Sequence, residues 1–416
     1  MLFLPHLHLL RSLAAVAETG SSQHAAALLH VAQSSVARAV ARLEEALGTR
    51  LFERTGRGMS PLPQGQQLAL RAARALQQFA QADQHRNRRT AAADWHSSTL
   101  ARSVGPRHIS VLQAIGQLSS ESRAAAHLGV SQSAVHQSLA QLEHMAGAKL
   151  FIRSRSGLKL DDTGEAVLQA VRLALAELRQ AGDEWHTDTG PLRAGLHGHL
   201  RGQLVVGTLP FSTAMLLPPA VEQLLAREPA VRLVIVDGTY EALVQQLRRA
   251  ELDFIVGALR SQPPSDDLSQ EVLFEDRLAV IARGGHPLAE KRSQSRRLTW
   301  NNLQNAQWVL PMPHTPAETA LQQMLSAAGL PFPSDQVRTN SAMVMQAMLA
   351  NSDRLALMSP RQVAREIATG LLTTLPLPAQ HVDRRIGVMQ RSHYLPTPAA
   401  TLLQTALRDV AKTLQT

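Results

Sequence analysis

The sequence predicts a multidomain chain: two tandem all-α winged helix-turn-helix domains followed by a two-lobed α/β domain. Three observations predict it. A stretch of sequence recurs at a constant offset of 99 positions, from Gln33 to Gln132. Inside each copy apolar residues keep helical spacing, and from Gln203 onward the pattern changes to alternating strands and helices. The offset carries Ser34 onto Ser133, Ala25 to Ala27 onto Ala124 to Ala126, Val36 onto Val135, Leu43 and Glu44 onto Leu142 and Glu143, and Leu51, Phe52 and Arg54 onto Leu150, Phe151 and Arg153.

Each copy opens on an amphipathic helix, Leu9 to Ala17 or Ile109 to Ile115. Ser21 and Ser120 supply polar breaks and N-caps, and a small Ala-rich helix follows. After a short turn, a third helix buries Val36, Val40 and Leu43, or Val135, Leu139 and Leu142. Its outward side carries Gln33, Ser34, Ser35, Arg38 and Arg42 in the first copy and Gln132, Ser133, His136 and Gln137 in the second. Amide and guanidinium groups make paired hydrogen bonds to base edges in the major groove. Leu51 to Leu62 and Leu150 to Leu160 read as wings, with Arg54, Arg57, Arg153, Arg155 and Lys159 available to phosphates. Core packing accounts for the apolar repeats. A pseudo-repeat kept only for dimer packing is the alternative to two DNA readers, and the sequence is compatible with either copy reading bases.

The runs Val31 to Glu44 and Val130 to Glu143, each followed by Gly-x-[Arg/Lys]-Leu-Phe-x-Arg, closely resemble the DNA-binding domain of LysR-type transcriptional regulators. That family ordinarily carries one such domain, so the duplication departs from it, as do Ala37 with Arg38 and His136 with Gln137 in the recognition helices. The resemblance implies double-stranded DNA as a partner, a small-molecule effector, a homo-oligomer (dimer or tetramer) and contact with RNA polymerase. Helical segments Gln64 to Gln84 and Thr163 to Trp185 stand where the family pairs protomers, and a core-packing role fits their spacing equally. Over residues 1 to 95 there are 11 Lys and Arg against 6 Asp and Glu, and over 96 to 190 there are 9 against 9. The first copy is therefore expected to supply more of the electrostatic affinity.

Linkers are expected at Gln84 to Arg102 and Thr187 to Gly202, which sets the domains at 1–62, 63–102, 103–160, 161–200 and 201–416. In the last, strands at Leu204 to Val206, Val231 to Val236 and Phe254 to Val256 read as buried and parallel, with helices Leu216 to Arg227 and Tyr240 to Ala250 between them. Strands at Leu278 to Ala282, Trp308 to Leu310, Leu355 to Met358 and Arg385 to Met389 follow, and a final helix, Ala399 to Leu414, returns to the first half. This part resembles the family's effector domain, itself similar to type 2 periplasmic binding proteins. Lobe I is placed at 201–262 and 394–416, lobe II at 263–393, with crossings near Arg260 to Asp267 and Ser392 to Pro396. Strand ends and helix N-termini point to Thr208, Ser212, Thr213, Thr239, His314, Thr315, Asn340 and Ser341 as effector contacts. The Ser, Thr and Asn among them serve equally as N-caps, and for His314 a buried structural role is favoured over ligand contact.

At 416 residues and a net charge of +9, the chain suits several domains and a polyanionic partner. It has no cysteine, which excludes disulfides, thiol catalysis and zinc fingers. His197 and His199 lack a third ligand, so no metal or cofactor is expected. No phosphate loop, serine elbow or HExxH is present, so no enzyme is expected. The N-terminus does not read as an export signal and no run matches a membrane span, which favours a cytoplasmic regulator over the alternative, a solute-binding protein for uptake.

Overall fold

The computed structural model describes residues 2–55, 58–87, 94–155, 157–189, 200–209, 215–290, 298–334, 336–378 and 383–415. They form two compact units, Met1–Gly202 and Gln203–Thr416.

In the first unit, copy one comprises α1 (Leu7–Thr19), α2 (Ser22–Leu29), α3 (Gln33–Leu47), the hairpin β1 (Phe52–Thr55) and β2 (Gly58–Pro61), and the long α4 (Pro63–Asn87). A short α5 (Thr99–Ser103) precedes copy two: α6 (Pro106–Leu118), α7 (Glu121–Leu128), α8 (Gln132–Ala146), β3 (Phe151–Ser154), β4 (Gly157–Leu160) and α9 (Asp162–Thr189). The stretch 84–102, expected from composition to be linker, thus contains the last residues of α4 and most of α5, which Ser98 caps.

The same local devices fold both copies. Ser21 accepts the N–H groups of Gln23 and His24, and Ser120 that of Arg123, so both polar breaks are N-caps. Glu44 and Glu143 accept the N–H groups of Leu51 and Leu150 at 2.7 and 3.1 Å, fastening each hairpin to the end of its third helix. Phe52 lies opposite Pro61 and Phe151 opposite Leu160, so the hairpin registers coincide. Gly58 and Gly157 hold φ of 137° and 112°, and a Cβ there would strike the carbonyl of Gly20 or Ser119. Those carbonyls accept the N–H groups of Met59 and Leu158 at 2.8 and 2.9 Å, which pins each wing to the turn after the first helix. Leu10, Leu13, Val36 and Leu43 join Ile109, Leu112, Val135 and Leu142, with Leu76, Phe79 and Val171, in one continuous core. Each such large side chain contributes about 1.5–3 kcal/mol by burial.

The second unit holds β5 (Gly202–Thr208), α10 (Leu217–Arg227), β6 (Val231–Asp237), α11 (Tyr240–Arg248), β7 (Phe254–Ala258), β8 (Leu268–Arg277), β9 (Ala279–Arg283), α12 (Pro287–Glu290), α13 (Pro316–Ala327), α14 (Ala342–Ala350), β10 (Ala356–Met358), α15 (Ala364–Ala368), β11 (Leu372–Thr374), β12 (Asp383–Arg391) and α16 (Pro398–Gln415). Among the described residues one sheet runs β6-β5-β7-β12-β8 and another β10-β9-β11. β5 and β7 are parallel, and β12 is antiparallel to both β7 and β8. Because β8 and β12 complete the first sheet, the chain changes sheets at Leu278 and again between 374 and 383, one strand away from the crossings expected at Arg260 to Asp267 and Ser392 to Pro396. β8 escaped sequence reading because its alternating polar residues (LSQEVLFEDR) lack an apolar run. β6 is an edge strand with Val234 and Ile235 exposed, where the sequence suggested a buried one. Trp308 and Leu310 make isolated bridges to Leu355 and Arg338 and no full strand. α16 packs on α10 and β8, the predicted return of the last helix.

Candidate nucleic-acid interface and effector cleft

On α3 the residues Gln33, Ser34, Ser35, Arg38 and Arg42 are all exposed, while Val36, Val40 and Leu43 are buried. The 3.6-residue period produces this division. Gln33 donates through Nε2 to Ser22 Oγ at 3.2 Å, and Arg38 through Nε to the Ser34 carbonyl at 3.2 Å. Arg54 projects from the wing; Arg57 lies outside the described residues.

On α8 the corresponding face exposes Gln132, Ser133, His136 and Gln137, and the wing exposes Arg153 and Arg155. A groove is lined by Glu121, Arg123, Gln132, Ser133, His136, Arg153 and Leu158 among others, so the recognition helix, the helix before it and the wing share one surface. Two differences from copy one bear on its chemistry. His136 Nδ1 lies 3.2 Å from Glu121 Oε2, and α8 is capped by Ser131, whereas Ala32 at the same place in copy one offers no side-chain cap.

In the second unit a cavity of about 320 Å³ gathers Thr239, His314, Thr315 and Asn340 from the predicted set. Thr208 is buried at the end of β5, Ser341 caps α14 through Val344 N–H, and neither lines the cavity. Ser212, Thr213, His197 and His199 lie outside the described residues. Thr239 and Thr315 are N-caps as well as lining residues. His314 is exposed, not buried, with φ of 61°; its N–H donates to Glu318 at 2.6 Å and its carbonyl accepts from Arg260.

The cavity also holds residues that position alone did not single out: Tyr240, Arg260 and Arg384. The Arg260 guanidinium lies 4.5 Å from the Tyr240 ring centroid. Tyr240 Oη is buried with no partner at good hydrogen-bond geometry among the described residues, although the Arg260 guanidinium is close enough to interact with it. Burial pushes this hydroxyl above its ordinary pKa, against the pull of Arg260. Arg384, by contrast, is engaged by Asp276 at 2.8 Å. A buried hydroxyl without a well-placed partner, beside a cation and among Leu209, Pro311, Met312 and Pro316, is suited to an oxygen-rich or anionic ligand with an apolar body. The signal in sequence was slight, because Tyr240 follows a cap and Arg260 follows a strand end without any motif.

Residues 197–412 match the family model described as the LysR substrate binding domain, and residues 7–66 and 106–165 each match that of the bacterial regulatory helix-turn-helix protein, lysR family. The HTH-type transcriptional regulator GalR of Pseudomonas putida is 35% identical over 414 residues, 98% of each chain. The HTH-type transcriptional regulator PcaQ of Agrobacterium fabrum is 28% identical over 305 residues, covering 94% of its own length but 73% of this chain. Among solved structures, ArgP from Mycobacterium tuberculosis aligns with a TM-score of 0.55 at 18% identity, covering 74% of this chain and 98% of its own. Full-length OxyR from Pseudomonas aeruginosa aligns at 0.51 and 22% identity, covering 73% and 97%. Among the described residues no helix is long and apolar enough to cross a membrane.

Proposed function

We propose, from the premise that the chain belongs to the LysR family of transcriptional regulators, that both of its helix-turn-helix copies read DNA and that the cavity beside Tyr240 takes the effector. Binding of DNA and response to a small molecule through the substrate-binding domain are the family's function and this chain's. The observation that carries the finer reading is the pair of outward faces: Gln33, Ser34 and Arg38 beside one wing, Gln132, Ser133 and His136 beside the other. Arg54, Arg153 and Arg155 serve phosphates, and the amide and guanidinium groups serve base edges.

The effector in this reading is a sugar or an aromatic carboxylate, held by Arg260, the Tyr240 hydroxyl, Thr239, His314, Thr315 and Asn340. Its binding favours one assembly of a homo-oligomeric, cytoplasmic protein over another, and so alters the DNA site occupied and the contact with RNA polymerase. A footprint on DNA selected from random sequence, repeated with Arg38→Ala and Gln132→Ala, tests the two-reader reading. Two motifs, each blurred by one substitution, support it; a single motif sensitive to one substitution leaves the other copy a packing module.

A further inference from the structure

Helices α4 and α9 stand at corresponding places in the two copies, yet they pack on each other within one chain. Arg71 on α4 is buried, 1% exposed, and meets Glu177, Gln180 and Glu184 on α9 at 2.8, 2.9 and 2.5 Å. One turn further along α4, Arg74 meets Glu177 at 2.8 Å. The contact moves toward lower α9 numbers as α4 numbers rise, the sense of antiparallel helices.

The 99-residue offset puts Ala170 where Arg71 stands, and Gln78, Gln81 and His85 where Glu177, Gln180 and Glu184 stand. The cation therefore belongs to one helix and the carboxylates to the other. Two α4 helices in this arrangement would set each buried Arg71 among Gln78, Gln81 and His85, with no carboxylate to balance it. Two α9 helices would bury Glu177 and Glu184 against Ala170. A charge buried without its partner loses hydration and regains nothing. The unlike pairing alone satisfies all of these groups.

The connection between the copies favours partners from the same chain. Asp83 of α4 accepts from Ser98 Oγ at 2.5 Å and from Leu100 N–H at 3.4 Å, and Arg11 of α1 donates to the His96 carbonyl at 3.0 Å. α5 also packs on α8, and just Val104 and Gly105 separate it from α6. The segment is thus seated on copy one and leads directly into copy two.

We propose that the two heads of one chain form a self-contained pair, α4 joined to α9 in cis, with Arg71, Glu177 and Glu184 selecting the unlike pairing. Its consequence, that one chain supplies both halves of a two-part DNA site, rests on the reading of both copies as DNA readers; the pairing itself does not.

The chain has no cysteine, so introduced thiols are its sole thiols. Full-length protein carrying Arg74→Cys with Gln180→Cys, which leaves Arg71, Glu177 and Glu184 in place, is treated with a short bis-maleimide and run under denaturing conditions. The expected product migrates as a single cross-linked chain. An equal mixture of the two single variants is expected to give no covalent dimer; a dimer there places the pair between chains and overturns pairing in cis. A dimer from Arg74→Cys alone shows like pairing and overturns the charge selection, and no cross-link in any sample overturns the pairing altogether. The unaltered chain provides a second measurement: hydrogen exchange of α4 is expected to be unchanged by about a hundredfold dilution, and protection lost on dilution overturns the proposal. Neither measurement uses DNA, so a chain that failed to read DNA would still report its pairing.

Discussion

Glu121 on α7 holds His136 on α8 at 3.2 Å across the exposed face of the second head, where the first head has Ser22 and Ala37. Against DNA, a carboxylate here would oppose phosphates, whereas Ser22 engages Gln33 and adds no charge. The heads are therefore built alike and charged differently.

With the second head reading DNA as proposed, Glu121→Gln is expected to tighten DNA binding and steepen its salt dependence, because one negative charge leaves the surface that faces phosphates in that reading. Arg38→Ala is expected to weaken binding by about 1–3 kcal/mol, with relaxed specificity where its side chain meets a base. Titrations at several salt concentrations check both. An unchanged salt slope in Glu121→Gln would place the second head away from the DNA.

Ser138 on α8 is 2% exposed, and its Oγ has no partner among the described residues. The first copy has Ala39 there. Removing a buried unsatisfied hydroxyl from a helix while keeping its volume nearly constant is expected to stabilise the first unit by about 1 kcal/mol. A lower thermal midpoint in Ser138→Ala would show that the hydroxyl is satisfied in solution.

Arg71→Ala is expected to destabilise the first unit by about 3–5 kcal/mol, since Glu184 and Glu177 lose a buried counter-charge. Burial pulls the Arg71 guanidinium down and the two carboxylates more than offset it, holding it above its ordinary pKa. Arg71→Met, which keeps the stem in place, is expected to cost less, as measured by denaturant unfolding. Equal losses would show that the charge, not the packing of the stem, decides the stability.

The repeat made the heads legible. An ungapped offset with matching apolar positions admits one fold twice, and the caps at Ser21 and Ser120 and the exposed faces of α3 and α8 follow from local rules. Tertiary partners were harder to see. Arg71 reads as an ordinary polar residue on an amphipathic helix, because its carboxylates lie more than a hundred positions away. Arg260 and Tyr240 converge on the cavity through a strand end and a helix start that no local pattern joins. His314 keeps its place at the cleft but exposed, since the left-handed turn before α13 turns it outward.

At the cavity, Tyr240→Phe removes a buried hydroxyl without a well-placed partner and Arg260→Ala removes the adjacent cation. Without ligand, Tyr240→Phe is expected to leave the unfolding midpoint unchanged or slightly raised. Benzoate and a hexose, tested separately as probes, are expected to raise the midpoint of the unaltered chain with one class preferred; Arg260→Ala abolishes the response to benzoate, and Tyr240→Phe weakens whichever response is seen. Midpoint shifts that survive both substitutions would move the effector elsewhere.

Glu271 on β8 accepts two hydrogen bonds from Arg408 on α16, at 2.6 and 2.8 Å, and so ties the last helix to the edge of the first sheet. The hydrogen bond from Arg408 holds the Glu271 carboxyl below its ordinary pKa, outweighing partial burial. A carboxylate depressed in the folded state stabilises above its unfolded pKa, and that stability is lost as pH falls through the folded value. Acidification from neutrality through the carboxylate range is therefore expected to loosen α16, and Glu271→Gln to flatten this part of the pH dependence. Both side chains are more than 40% exposed, so solvent screening holds the effect to about 1 kcal/mol or less. Unfolding midpoints of the two proteins between neutral and acidic pH should converge as Glu271 becomes protonated, and a constant gap between them would mean that the ion pair contributes nothing to the attachment of α16.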